Sequence, residues 1–194
     1  MRLQILLIIT FMVSSVVPLP AQQIKPEIKG NGYTLLQRRS VPPFSNISIR
    51  DNLALYISQG DTMPLTIDAD DNLFDYIITE VNGSTLNVQI ADTVELKHGK
   101  GTGLFVSTPQ INEIIANHSA KVVGSKVLQG DKLKISCKIG SSIELTLNYK
   151  MVHVECDSTS HIKLRGHVDS IFIKQGTGPY IKMDKLSVDF SNNY

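Results

Sequence analysis

From residue 115 onward the chain repeats itself. Segments 115–123, 135–143, 154–162 and 173–181 each hold a β-branched residue, a small or polar stretch, and a second β-branched residue eight positions on. Their starts are Ile115, Ile135, Val154 and Ile173, a nearly even spacing. Further apolar positions recur behind them at Leu145, Leu164 and Met183, and ahead of them at Leu133, Val152 and Ile171. A period near 20 built of short strands and small-residue turns marks a β-solenoid. One coil cannot cover its own apolar row. Coils stacked ~4.8 Å apart bring equivalent side chains into continuous interior ladders. Gly140, Gly176 and Gly178 fall between the strands, where a corner needs unusual dihedrals. A Greek-key sandwich with evenly spaced strands is the competing fold, and four aligned repeats favour the solenoid.

Ahead of the repeats the pattern is also β. Ile47 and Ile49, then Leu53, Leu55 and Ile57, then Leu65 and Ile67 alternate with polar neighbours, as half-buried strands do. Gly60-Asp61 predicts a turn. Asp70-Asp71-Asn72 predicts one capped helical turn carrying Leu73 and Phe74. Asn82-Gly83 predicts a short hairpin with Leu86, Val88 and Ile90 on its return strand. Residues 92–103 read as a loop, and residues 22–40 as a linker or edge segment. Residues 41–194 then form a single β-solenoid domain.

Residues 1–21 read as a signal peptide: Arg2, an apolar run from Leu3 to Val17, helix-breaking Pro18 and Pro20, and small Ala21. The run is short for a bilayer span, and no later segment is apolar enough to cross a membrane. These features predict export to the periplasm, cell surface or medium, with no transmembrane segment in the mature chain. Arg2 is the leader's one charged side chain, so the mature chain balances its basic and acidic groups evenly. A net charge of zero gives no reason to expect nucleic acid as a partner. The lack of Trp argues weakly against a cleft that stacks sugars on flat rings.

No catalytic constellation is evident. Gly-x-Ser-x-Gly, Cys-x-x-Cys and His-Glu-x-x-His are all absent. Asp157, Asp169 and Arg165 are too scattered to assign roles. His98, His118, His153, His161 and His167 read as separate surface residues, so no metal or cofactor is expected. Cys137 and Cys156 share one inward repeat position on adjacent coils. They are either a disulfide, which stacked Cα separation and export both permit, or two buried thiols. Glu155 and Lys174 share one outward position, and Glu144, Lys163 and Lys182 share another. Such charge ladders support register or present a polar face to an extended ligand.

The stretch Val41-Pro-Pro-Phe-Ser-Asn-Ile-Ser-Ile49 resembles the opening of the auto-transporter adhesin head GIN domain family (DUF2807). Ile57-Ser-Gln-Gly60, Leu65-Thr-Ile67 and Thr79-Glu-Val-Asn-Gly-Ser-Thr-Leu-Asn-Val88 resemble its next segments, and the Gly/Ser corners its later repeats. The resemblance covers about residue 38 to the C-terminus. It implies a right-handed β-helix-like fold, export, and a distribution mainly in Bacteroidetes, but no established activity. The expected function is therefore that of a non-catalytic cell-envelope protein, adhesin-like or structural, presenting a rigid face to a glycan or protein partner. The alternatives are a polysaccharide-active β-helix enzyme, and a subunit of an envelope assembly. In the second case Val188-Asp-Phe190 would open a further coil whose free edge supports an edge-to-edge oligomer.

Overall fold

The computed structural model describes residues 25–97, 101–176, 178 and 180–193. The expected signal peptide, Ala21 included, and His98 lie outside the described residues. Nine strands precede the repeats: β1 Glu27–Lys29, β2 Thr34–Arg39, β3 Asn46–Ile49, β4 Ala54–Gln59, β5 Met63–Asp70, β6 Ile77–Asn82, β7 Thr85–Ile90, β8 Glu95–Lys97 and β9 Gly103–Thr108. A 3-10 helix, Asp71–Tyr76, buries Leu73 and Phe74 as the sequence predicts, although no side chain caps it. Five strands follow: β10 Glu113–Ala116, β11 Lys121–Cys137, β12 Ser142–Cys156, β13 His161–Gln175 and β14 Tyr180–Asn193.

All strands but β1 and β8 join one sheet, which runs β2-β5-β9-β4-β11-β10-β3-β7-β6, with β12, β13 and β14 stacked in turn on β11. The all-β expectation stands, but the sheet is mixed. β2–β5, β5–β9 and β6–β7 are antiparallel, and the other pairs are parallel. β2, residues 34–39 of the expected linker or edge segment, is an edge strand of this sheet. The predicted loop at 92–103 contains β8, which pairs with β1 in parallel. Val188-Asp-Phe190 lies inside β14, where Val188 pairs with Val168 and Phe190 with Ser170.

The long strands pair almost residue for residue. Ile135 faces Val154 and Val154 faces Ile173. The first repeat is out by one: Ile114, not Ile115, faces Ile135, and Val122, not Val123, faces Ile143. Ile114 and Val122 are fully buried. The ladders also run further than the repeats. One passes through Leu86, Ile47, Ile114, Ile135, Val154 and Ile173. Another passes through Leu104, Leu55, Val122, Ile143, Ile162 and Ile181. Together they make one continuous core. Each buried aliphatic side chain contributes about 1.5–3 kcal/mol.

The corners stack as well. Asp51-Asn52, His118-Ser119 and Ile139-Gly140 each place two consecutive residues at positive φ. Only Gly enters that region freely; for other residues it costs ~1–2 kcal/mol. Hydrogen bonds between corners offset the cost: Asn52 N–H donates to His118 O, and Ser119 N–H to Ile139 O. Asp157 closes the next corner, accepting from Ile139 N–H, Thr159 N–H and the Thr159 and Ser160 hydroxyls. Burial opposes its charge, but these donors outweigh burial and hold its carboxyl down at about 2.

Candidate functional site

The two predicted charge ladders form, on different stretches of the long strands. Glu144 faces Lys163, which faces Lys182. Glu144 Oε1 lies 3.1 Å from Lys163 Nζ and 2.7 Å from Arg165 Nη1. Hydrogen bonds from those two cations hold its carboxyl below the ordinary range. Lys182 turns to Asp184, at 3.6 Å. Each charge of this ladder already has an opposite charge beside it. Arg165, left without a role by the sequence, makes its shortest contact.

The second ladder borders a groove. Glu155 faces Lys174. Glu155 Oε1 is 3.2 Å from Lys138 Nζ and 3.9 Å from Lys174 Nζ. With its side chain 77% exposed, Lys174 is only loosely held and remains available to a ligand. Two positions earlier on the same strands, Lys134, His153 and Phe172 form a parallel column. The His153 and Phe172 rings stack with centroids 4.9 Å apart and 14° between planes. Phe190, 56% exposed, extends the row at 6.2 Å and 57°. Between the columns lies a mainly apolar groove of about 420 Å³, lined by Lys134, His153, Val154, Glu155, Phe172 and Lys174. The scarcity of aromatic residues hid this row from composition. Its signal was the spacing, because His153 and Phe172 are one repeat apart.

A larger cleft of about 640 Å³, by the first two corners, is lined by Arg50, Asp51, Asp92, Glu95 and His118 among others. Its main charges satisfy one another: Arg50 lies 2.9 Å from Asp92 and 3.4 Å from Asp51. His161 leans on the Tyr180 ring at 5.7 Å. Asp157 is occupied in its corner, as described.

Cys137 faces Cys156, and both thiols are buried and unbridged. Their column continues through Ala116 and Ile49, so they occupy an interior ladder. Burial pushes the Cys137 thiol up to about 12 and Cys156 to about 11, which suits neither to nucleophilic chemistry at neutral pH. Among the described residues no helix is long and apolar enough to cross a membrane.

No curated protein matches this chain. Several solved structures share its fold. A "putative adhesin" of Bacteroides fragilis NCTC 9343 aligns with a TM-score of 0.67 at 18% identity, over 86% of this chain and 100% of that one. Another, from Parabacteroides merdae ATCC 43184, gives 0.70 at 16%, over 87% and 80%. A "putative lipid binding protein" of Parabacteroides distasonis ATCC 8503 gives 0.68 at 17%, over 86% and 80%. The family model described as "putative auto-transporter adhesin, head GIN domain" (DUF2807) matches residues 43–192, and on that match the chain belongs to this family.

Proposed function

We propose that this protein is an exported, non-catalytic binding domain of the cell envelope that holds a glycan along the groove between its aromatic and charged columns. One observation carries the reading. Stacked rings, His153 and Phe172, run parallel to Glu155 and Lys174 on adjacent strands. A sugar ring has an apolar C–H face and a polar hydroxyl edge. The edges of the stacked rings give the face an apolar wall to lie against. The charged column accepts from and donates to the edge. Because both columns run across the strands, an extended chain lying along the groove keeps both within reach. A few polar groups set into an apolar surface is also the usual make-up of a ligand site.

Export is supported by the signal-peptide pattern of residues 1–21 and by the adhesin family. Relatives named as adhesins or as a lipid-binding protein, rather than as enzymes, support a binding role. The in-register parallel stack of β11 to β14 supports reading that part as coils of a right-handed β-helix.

A glycan array probed with the mature chain tests the function. We expect binding to at least one extended glycan, with Phe172→Ala and Lys174→Ala each weakening it tenfold or more. Wild-type protein that binds no glycan, or binds only lipid vesicles, overturns the proposal. So do variants that bind as wild type does.

A further inference from the structure

Outside that groove, the middle stretch of the last two strands carries a set of convergent donors. Val168 faces Val188 and Ser170 faces Phe190, so Asp169 lies opposite Asp189. His167 points to the same side, with Nε2 3.4 Å from Asp169 Oδ1. One donor atom from each of His167, Asp169 and Asp189 lies within 4.8 Å of the other two.

The second ring nitrogen is held as well. His167 Nδ1 lies 2.9 Å from Ser187 Oγ, and the Ser187 hydroxyl donates to Gly166 O at 3.2 Å. These contacts orient the ring so that Nε2 faces the Asp169 carboxylate.

The charge pattern along the column points the same way. Asp131, Lys150 and Asp169 occupy equivalent positions on β11, β12 and β13 and alternate in sign. Lys150 Nζ sits 2.7 Å from Asp131. The alternation breaks where Asp169 meets Asp189, and facing like charges repel. A β-bulge creates the meeting. Lys163 faces Lys182, but Arg165 faces Lys185, so β14 holds one extra residue. Without it Val188 would face Asp169.

We propose that His167 Nε2 and one oxygen each of Asp169 and Asp189 bind a divalent transition-metal ion of the zinc type. An imidazole with carboxylates suits Zn²⁺ better than Mg²⁺ or Ca²⁺, which take oxygen alone. The Ser187 contact is the kind that orients a metal-bound histidine. Zinc bonds of ~2.0–2.2 Å need the donors to close by roughly an ångström, within reach of the exposed Asp189 side chain. Solvent completes the coordination.

Calorimetric titration of chelator-treated full chain with zinc chloride tests this. We expect one zinc per chain at micromolar Kd, weakened at least tenfold by His167→Ala and by the near-isosteric Asp189→Asn. His161→Ala, outside the cluster, should bind as wild type does. Cobalt(II) should give a visible absorption band in wild type that both cluster variants lose. If wild type takes up no zinc, the proposal fails. It fails equally if either cluster variant keeps wild-type affinity.

Discussion

The stack from β11 to β14 and the rim formed by β2, β5 and β9 keep register in different ways. In the stack each interior residue has an equivalent above and below, so one pattern written repeatedly aligns every strand. In the rim only β9 shares that pattern, through Leu104. β2 runs antiparallel along β5, β5 along β9, and β9 is inserted between β4 and β5. Its alignment depends on individual anchors. Arg39 is one: its guanidinium donates to Ile77 O, Thr79 Oγ1 and Phe74 O, tying the edge strand to the helix and β6. Repetition spreads the specification of register over many weak contacts, whereas the rim concentrates it in a few.

The largest expected effect tests whether the stack has a single critical point despite its redundancy. Gly166 sits at φ +100°, and a Cβ there would lie 2.1 Å from Leu147 O. Gly166→Ala should cost about 3–4 kcal/mol, since both strain and a backbone clash arise. Gly83→Ala, at the β6–β7 hairpin with φ +62° and open space around it, should cost only ~1–2 kcal/mol. Denaturant unfolding measures both, and equal losses would remove the distinction.

Next comes the rim. Arg39→Met removes three long-range hydrogen bonds and should cost about 2 kcal/mol. Amide exchange should quicken in β2 and β5 while the stack stays protected. Uniform quickening would show that the rim is no separate unit.

Tyr149 ties the stack to the loop that follows β9, because its buried hydroxyl donates to Ile111 O at 2.8 Å. Tyr149→Phe leaves that carbonyl unpaired and should cost roughly 1–2 kcal/mol. Burial raises the phenol from 10.0 to about 12. An unfolded chain ionises near 10, so this contribution to stability is intact below pH 10 and lost as pH rises toward 12. The thiols Cys137 and Cys156, raised from 9.0, begin the same loss one pH unit earlier. Stability against pH should thus fall from about 9 upward in wild type, and less steeply above 10 in Tyr149→Phe.

The smallest effect belongs to the exposed ladder. Glu144→Gln should cost less than ~1 kcal/mol, and less still in high salt, because partly exposed ion pairs contribute little. A larger loss would mean that the charges, rather than the interior rows, set register.

What the sequence reveals follows the same division. Ile135, Val154 and Ile173 are legible because a single inward column accepts only apolar residues. The first repeat is misread because Ile114-Ile115 and Val122-Val123 are adjacent pairs of like residues, and alternation cannot say which member points inward. Asn82-Gly83 is legible since hairpin chemistry is local. The β2–β5 and β5–β9 pairings are not, since no local signal names a partner so distant. Both halves of the charged ladders could be read from spacing. The Phe172 row obeyed the same spacing but was discounted by composition. The pairing of Asp169 with Asp189 is not legible because the bulge in β14 sets the two one position off the spacing that relates β12 to β13.

The in-register stacking also limits how such a chain can change length. Gaining or losing a single residue inside β12 or β13 would turn polar side chains inward along the rest of that strand. A whole period, spliced in or out between equivalent corners, leaves every column intact. Molecules of this design should therefore grow and shrink by complete layers, each new layer copying the chemistry of the surface it extends.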